Sequence, residues 1–369
     1  MVFEATVWGY RIPHRFIWRH TFTKYTGLSW SEFVQLLRNG RTTSEERFER
    51  YVQKRQVTRS DFLRVRIDKT FKAGSRVTGR NCNQKCVFCH EDSLSGGKGR
   101  KAVDNGFFVH ATERLYSMTG KPIQVHIAGN GEPTLTLMEL VDLVRKFRVF
   151  KPVVSLALTT NGLLLGKLAT DLSNAGLSKV NVSLHSLNRD TYRSITGVDG
   201  LSAVLHSLQI AVQTGLDIKI NCVITGSILA EIHEYIKLAS DLGIPIKMFQ
   251  NLNSSEESMK DVALMLRLLS TLSSKEFSYA FPHNGKVILV EGAVIDFIDD
   301  SIANSCVNLA CHSRSKCNEG CRSHIRLSAE GLLQPCPALA RTDNIVDLTD
   351  RTITDEKILI ALRNGGKLL

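Results

Sequence analysis

The sequence predicts an α/β chain built on a partial (β/α)6 TIM-like barrel. Two observations carry this: six short β-branched runs lie between residues 62 and 250, and amphipathic stretches of helical apolar period separate them. A third is where the unusual residues fall. They sit in the turns that follow the strands, and a barrel gathers its chemistry at the C-terminal ends of its strands.

In chain order, residues 28–60 read as two amphipathic helices separated at Asn39-Gly40, and residues 1–60 are expected to form a small helical N-terminal extension. The strands are FLRVRI (62–67), IQVHIA (123–128), VVSLALT (153–159), KVNVSLH (179–185), DIKINCVI (217–224) and IPIKMFQ (244–250). Segments between them, such as TLMELVDLVRKFRVF and LSAVLHSLQIAVQTG, are helices, and Gly176, Gly215 and Gly243 stand where helices should stop. The barrel is assigned to residues 61–275 and a third region to residues 276–369. In that region HIRLS, the turn Glu330-Gly331 and LLQPC make a β-hairpin that brings Cys336 back towards Cys321.

A chain of 369 residues has room for one large α/β domain with smaller additions. Hydrophobic residues at 43% and charged residues at 22% suit a soluble globular protein, which excludes global disorder. No apolar run reaches the roughly 18–20 residues of a membrane span and no signal segment opens the chain, so a cytoplasmic location is expected. The lesser alternative is an organelle-targeting segment in the first 25 residues, which are rich in Arg, Lys, His and aromatics. Nine cysteines, an odd number gathered into two clusters, argue for metal ligation in a reducing compartment rather than a disulfide framework. The net charge of +11 favours an anionic partner, a phosphorylated small molecule or nucleic acid. Solvated helix faces explain most charge runs, which leaves nucleic acid the weaker reading.

The run NCNQKCVFCH (81–90) sets Cys82, Cys86 and Cys89 at C-x3-C-x2-C. One tight loop can wrap three thiolates around a [4Fe–4S] cubane and leave its fourth iron open, and an open position separates a reactive metal site from a structural one. On spacing alone, His90 also completes a Cys3His zinc site. AGNGEPTL (128–135) follows the second strand as a glycine-rich turn whose backbone can pair with an amino group and a carboxylate. TTNGLLL (159–165) and VSLHSLN (182–188) end the third and fourth strands on small polar residues, each of which alone reads as helix capping.

Together and in this order, with Phe88 before Cys89, these motifs resemble the radical S-adenosylmethionine (radical SAM) superfamily. The resemblance implies a [4Fe–4S] cluster on Cys82, Cys86 and Cys89 in place of zinc. It also implies that Gly131, Glu132 and Pro133 hold the methionine end of S-adenosylmethionine, with Asn130 replacing the usual first glycine of that turn.

Cys306, Cys311, Cys317, Cys321 and Cys336 form the second cluster, for which a small zinc ribbon is the plain reading. From LRVRI to the C-terminus, and most clearly in KVNVSLHSLNRDTYRSITG (179–197), IKINCVITG (218–226) and the hairpin, the chain is similar to the GTP 3′,8-cyclase family of molybdenum-cofactor biosynthesis. That similarity implies a second [4Fe–4S] cluster on Cys317, Cys321 and Cys336, making the C-terminal region an auxiliary iron–sulfur subdomain. It places Ser183 and Gly131 against S-adenosylmethionine and Thr159, Lys219 and Arg326 towards a nucleotide, with His324 where the family has an arginine. It also matches Arg363-Asn364-Gly365-Gly366 to a glycine-rich tail. The implied reaction begins with reductive cleavage of S-adenosylmethionine, fed by a one-electron donor such as flavodoxin or ferredoxin. The 5′-deoxyadenosyl radical abstracts hydrogen from the ribose, and a carbon–carbon bond closes onto the purine.

The chain departs from the family where His185 replaces an aspartate and where the late cysteines stand one residue further apart in each gap. The alternatives are a maturase of a peptide or natural product, such as a sugar or nucleoside, and an RNA-modifying protein using residues 10–80. His90, His126, His185 and His324 read equally well as hydrogen-bonded structural histidines. Lys179, Arg189 and Arg193 read as phosphate contacts or as a solvated face, and Cys222 as a small core residue.

Overall fold

The computed structural model describes residues 43–56, 62–71, 81–89, 101–250, 256–279, 285–298, 324–335 and 344–364. His90, Cys306, Cys311, Cys317, Cys321, Cys336 and the Gly365-Gly366 tail lie outside the described residues, as do most of residues 1–60.

Helix α1 (Ser44–Gln56) opens with a capping box, in which Glu46 N–H donates to Thr43 Oγ1 at 3.2 Å and Thr43 N–H to Glu46 Oε2 at 2.7 Å. Strand β1 (Leu63–Thr70) begins the barrel, and helix α2 (Asn105–Thr119) returns from it, capped by Asp104 and ended by Gly120 in the left-handed region. The alternation continues through β2 (Ile123–Asn130), α3 (Leu137–Val149), β3 (Val153–Thr160), α4 (Leu165–Ala175) and β4 (Lys179–Ser183). Then come α5 (Arg189–Thr196), α6 (Leu201–Ala211), β5 (Asp217–Ile224), a single turn α7 (Gly226–Ala230), α8 (Ile232–Leu242) and β6 (Ile246–Gln250). All six predicted strands form, and Gly176 and Gly243 terminate their helices with φ of 101° and 66°.

β1 to β6 pair in parallel in sequence order, the arrangement that βαβ crossovers produce. Along β1, Leu63, Val65 and Ile67 are buried under the helices while Arg64 and Arg66 alternate with them on the inner side. The other five strands repeat this pattern, so the outer face of the sheet is an apolar core and its inner face is polar.

The sheet does not stop at six strands and does not close. α9 (Glu256–Leu272) leads into an antiparallel set, β7 (Lys275–Tyr279), β8 (Gly285–Val290) and β9 (Ala293–Ile298), with β9 parallel to β6. At the other edge the predicted hairpin forms as β10 (Ile325–Ser328) and β11 (Leu332–Gln334), turning at Gly331 with φ of 81°. β10 pairs in parallel with β1, and β12 (Val346–Asp347) completes a twelve-stranded sheet before α10 (Asp355–Asn364). Sequence patterning gives the hairpin but neither its pairing with β1 nor the seam between β9 and β6, because both join strands far apart in the chain.

Among the described residues, no helix is long and apolar enough to cross a membrane.

Candidate active site

The cysteine loop is fastened at both ends of its turn to the top of the barrel. Lys85 N–H and Val87 N–H donate to Thr196 and Ile195 carbonyls at 2.8 and 3.0 Å, so the loop satisfies acceptors that the last turn of α5 leaves over. Cys89 N–H closes a turn onto Cys86 O at 3.1 Å. On the other side Glu132 N–H donates to Asn81 O at 2.8 Å. This approach requires glycine at 131. Its φ is 113°, and a Cβ there would lie 2.2 Å from Asn81 O.

Two of the three sulfurs are hydrogen-bonded. Gln84 N–H and Asn161 Nδ2 reach Cys82 Sγ at 3.4 and 3.9 Å, and Cys86 Sγ meets Gln84 Oε1 at 3.5 Å. Gln84 Nε2 is anchored on the buried Tyr192 Oη at 2.7 Å. Burial pushes the Cys86 thiol up to about 12, and Cys82 and Cys89 add to the push. Three crowded sulfurs cannot all ionise without a compensating cation, which the irons of a cluster supply. Among the described residues, no three His, Cys, Asp or Glu side chains draw close enough to chelate one metal ion. Three thiolates on one short loop fit a cubane, whose thiolates bind separate irons.

Glu132, expected at the cofactor, joins two strand-end turns. Its Oε1 accepts from Thr134 N–H at 3.1 Å and from the Thr134 and Thr160 hydroxyls at 2.5 Å each, and its Oε2 accepts from Asn161 N–H at 2.7 Å. Burial raises its pKa and these bonds oppose the rise. Pro133 opens a one-turn 3₁₀ segment directly behind it. Glu231 plays a similar part beyond β4, accepting from Ser186 Oγ at 2.8 Å and Leu187 N–H at 2.5 Å.

Phe88 sits edge-on to His185 with ring centroids 4.8 Å apart, and His185 Nδ1 accepts from Val223 N–H at 3.3 Å. Burial lowers His185 to about 4, so the ring is neutral with its proton on Nε2. Ser183 ends β4 in register with Asn221 of β5. Among the described residues, Asn221 Oδ1 and Asn130 Oδ1 are buried without a hydrogen-bond partner, which gives the strand ends acceptor capacity for a ligand.

Below these ends the inner face carries a surplus of positive charge. Thr159 Oγ1 bonds His126 Nε2 at 2.7 Å, with Asn181 Nδ2 3.4 Å from both. Burial, with Arg66, Lys219 and Lys247 nearby, lowers His126 to about 3. Burial and then Lys247 lower Lys219 to about 7. At the β1–β10 seam, Asp68 is ion-paired with both Arg66 at 2.6 Å and Arg326 at 2.7 Å, two guanidiniums on one carboxylate. His324 immediately precedes β10.

Thr159, Lys219 and Arg326 thus share one inner face. Sequence reasoning passed over Arg66, Lys247, Asn181 and Asp296 on it. The first three were signalled by charged and polar residues at alternate positions of LRVRIDKT, KVNVS and IKMFQ, a pattern that two-sided burial of a parallel sheet would not allow, whereas Asp296 is a lone acid in the apolar run AVIDFI. Arg189 takes no part. It is exposed and paired with Asp199. Cys222 is a buried core residue.

Comparison with known proteins agrees with this geometry. Residues 77–248 match the radical SAM superfamily. A probable GTP 3',8-cyclase of Methanococcus aeolicus is 31% identical over 297 residues, covering 77% of this chain and 87% of its own. One of Saccharolobus islandicus is 28% identical over 279 residues, covering 73% and 83%. Among solved structures, Streptococcus suis SuiB bound to S-adenosylmethionine superposes with a TM-score of 0.57 at 15% identity, covering 88% of this chain and 69% of that one. The structure of anSMEcpe with bound AdoMet gives 0.56 at 18% identity, covering 84% of each. These two share the fold. The chain is a radical SAM enzyme, and it belongs to that superfamily as a divergent relative of the GTP 3',8-cyclases.

Proposed function

We propose that the protein cyclises a purine nucleotide by radical chemistry, in the manner of the GTP 3',8-cyclases it resembles. The observation that carries this reading is the cationic inner face, where Arg66, Lys219 and Lys247 surround the neutral His126–Thr159–Asn181 group beneath the cysteine loop. Excess positive charge in a walled cavity selects a polyanion. Neutral donors and acceptors beside it suit a sugar and base. Cys82, Cys86 and Cys89 would hold a [4Fe–4S] cluster, which when bound would supply the electron for reductive cleavage of S-adenosylmethionine and hence a radical able to take a hydrogen from the substrate. The chain's own part is to fix positions. Glu132 joins the turns after β2 and β3, Gly131 lets the cysteine loop close on them, and Phe88 and Ser183 border the cofactor.

Cys317, Cys321 and Cys336 are proposed to hold a second [4Fe–4S] cluster, and a flavodoxin- or ferredoxin-like protein to be the electron source. The test is anaerobic reconstitution of the chain and of its Cys317→Ala/Cys321→Ala/Cys336→Ala variant, with 5′-deoxyadenosine release assayed under dithionite with and without GTP. About eight irons falling to about four, with release stimulated by GTP, is the expected result. Eight irons and no response to GTP would keep the radical chemistry and move the substrate search to other nucleotides, then to peptides and sugars.

A further inference from the structure

Helix α1 lies against the inner side of the sheet, where β8 and β9 continue it. Phe48 and Val52 pack with Tyr279, Val287, Leu289, Val294 and Ile298, and Lys54 Nζ reaches Asp217, the first residue of β5, at 2.9 Å. Its last turn therefore crosses the N-terminal mouth of the barrel, opposite the cysteine loop. There Arg55 contacts the carboxylate of Asp296, and Tyr51 and Tyr279 hydroxyls donate to the same carboxylate at 2.9 and 2.5 Å. The guanidinium also lies over the Tyr279 ring, 4.8 Å from its centroid. Asp296 is fully buried. It stands in strand register beside Lys247, and Arg55, Lys247 and Lys219 all act on its charge.

We propose that Arg55 is a positioning residue for substrate: by neutralising Asp296 from below, it leaves Lys219 to face the anionic end of a nucleotide rather than this carboxylate. The inference rests on the nucleotide reading above. Asp296 needs a cation because it is buried, and three stand within its field. If Arg55 is absent, Lys247 and Lys219 are the remaining cations, and a carboxylate that takes them competes directly with phosphate. Helix α1 thereby joins the binding apparatus without touching the ligand.

The test measures binding of GTP and of inorganic tripolyphosphate to the reconstituted full chain by calorimetry, with S-adenosylmethionine binding as the control. Arg55→Met is expected to weaken both polyanions about tenfold and to leave S-adenosylmethionine unchanged. Adding Asp296→Asn to Arg55→Met removes the competing carboxylate and should restore binding to within about threefold of wild type. A role confined to packing would give no such rescue.

Arg55→His keeps the test open if the methionine variant does not fold. Its imidazole, of ordinary pKa about 6.5, should match wild type near pH about 5.5 and fall about tenfold below it near pH about 8. Wild type measured alongside accounts for the groups around residue 55, which are Tyr51 of its own helix, Arg64 of β1, Lys179 of β4, Lys219 of β5, Tyr279 of β7 and Asp296 of β9. Arg55 variants that bind polyanions like wild type at every pH would overturn the inference while the nucleotide reading stands. Failure of wild type itself to bind either polyanion would overturn both.

Discussion

Gly131 and Glu132 show how little freedom the site allows single residues. A methyl group on Gly131 would lie 2.2 Å from Asn81 O, so the cysteine loop must move if it is added. Gly131→Ala is expected to lose most of the iron held by Cys82, Cys86 and Cys89, read as absorbance and iron content after reconstitution in the background lacking the late cysteines. Glu132→Gln keeps the shape and replaces one accepting oxygen with a donor facing other donors. It should cost ~1–3 kcal/mol in denaturant unfolding. Both residues were visible in the sequence as part of a glycine-rich turn, and so was their place after a strand. Their contacts with Asn81, Thr160 and Asn161 were not, because those join segments tens of residues apart. A motif names the residue type that a turn needs without naming what the turn touches.

Among elements, α1 is the one whose role changed most between sequence and structure. Its amphipathic pattern was legible and its partner was not, since Phe48 and Val52 bury against strands over 200 residues downstream. The six barrel strands were legible because each unit is local, a β-branched run and a helical period, with a stopping glycine in some of them such as Gly176 and Gly243. β7–β9 and the β1–β10 seam were illegible for the opposite reason, as edge pairing leaves no periodic trace in either partner. Phe48→Ala removes a large buried ring from the α1 interface and is expected to cost ~3–5 kcal/mol. Urea unfolding would read this, and a cost below 1 kcal/mol would show that α1 packs loosely.

At the scale of the whole molecule, the barrel trades stability for charge. Lys219 titrates at about 7 when folded, against the ordinary 10.5, because burial and Lys247 disfavour its charge. The unfolded chain therefore takes up this proton first, and folded stability declines as pH falls from about 10.5 to about 7. Lys219→Met is expected to melt higher than wild type, with a margin that widens across that fall, and to lose polyanion binding. Under the nucleotide proposal the charged lysine is the form that would attract phosphate, so polyanion affinity is expected to weaken as pH rises through about 7. Calorimetry at several pH values checks the sign.

The two bonds from Lys85 and Val87 into the end of α5 have a further consequence. Iron–sulfur clusters are lost to oxygen, and a loop no longer gathered around iron has less to hold it in place. Its release would uncover the Ile195 and Thr196 carbonyls and let α5 fray. Oxidative loss of the cluster would thereby favour local unfolding, and the amide protons of Lys85 and Val87 are expected to exchange with solvent faster after exposure to air. A protease that cleaves frayed helices would then remove oxidised molecules and spare intact ones.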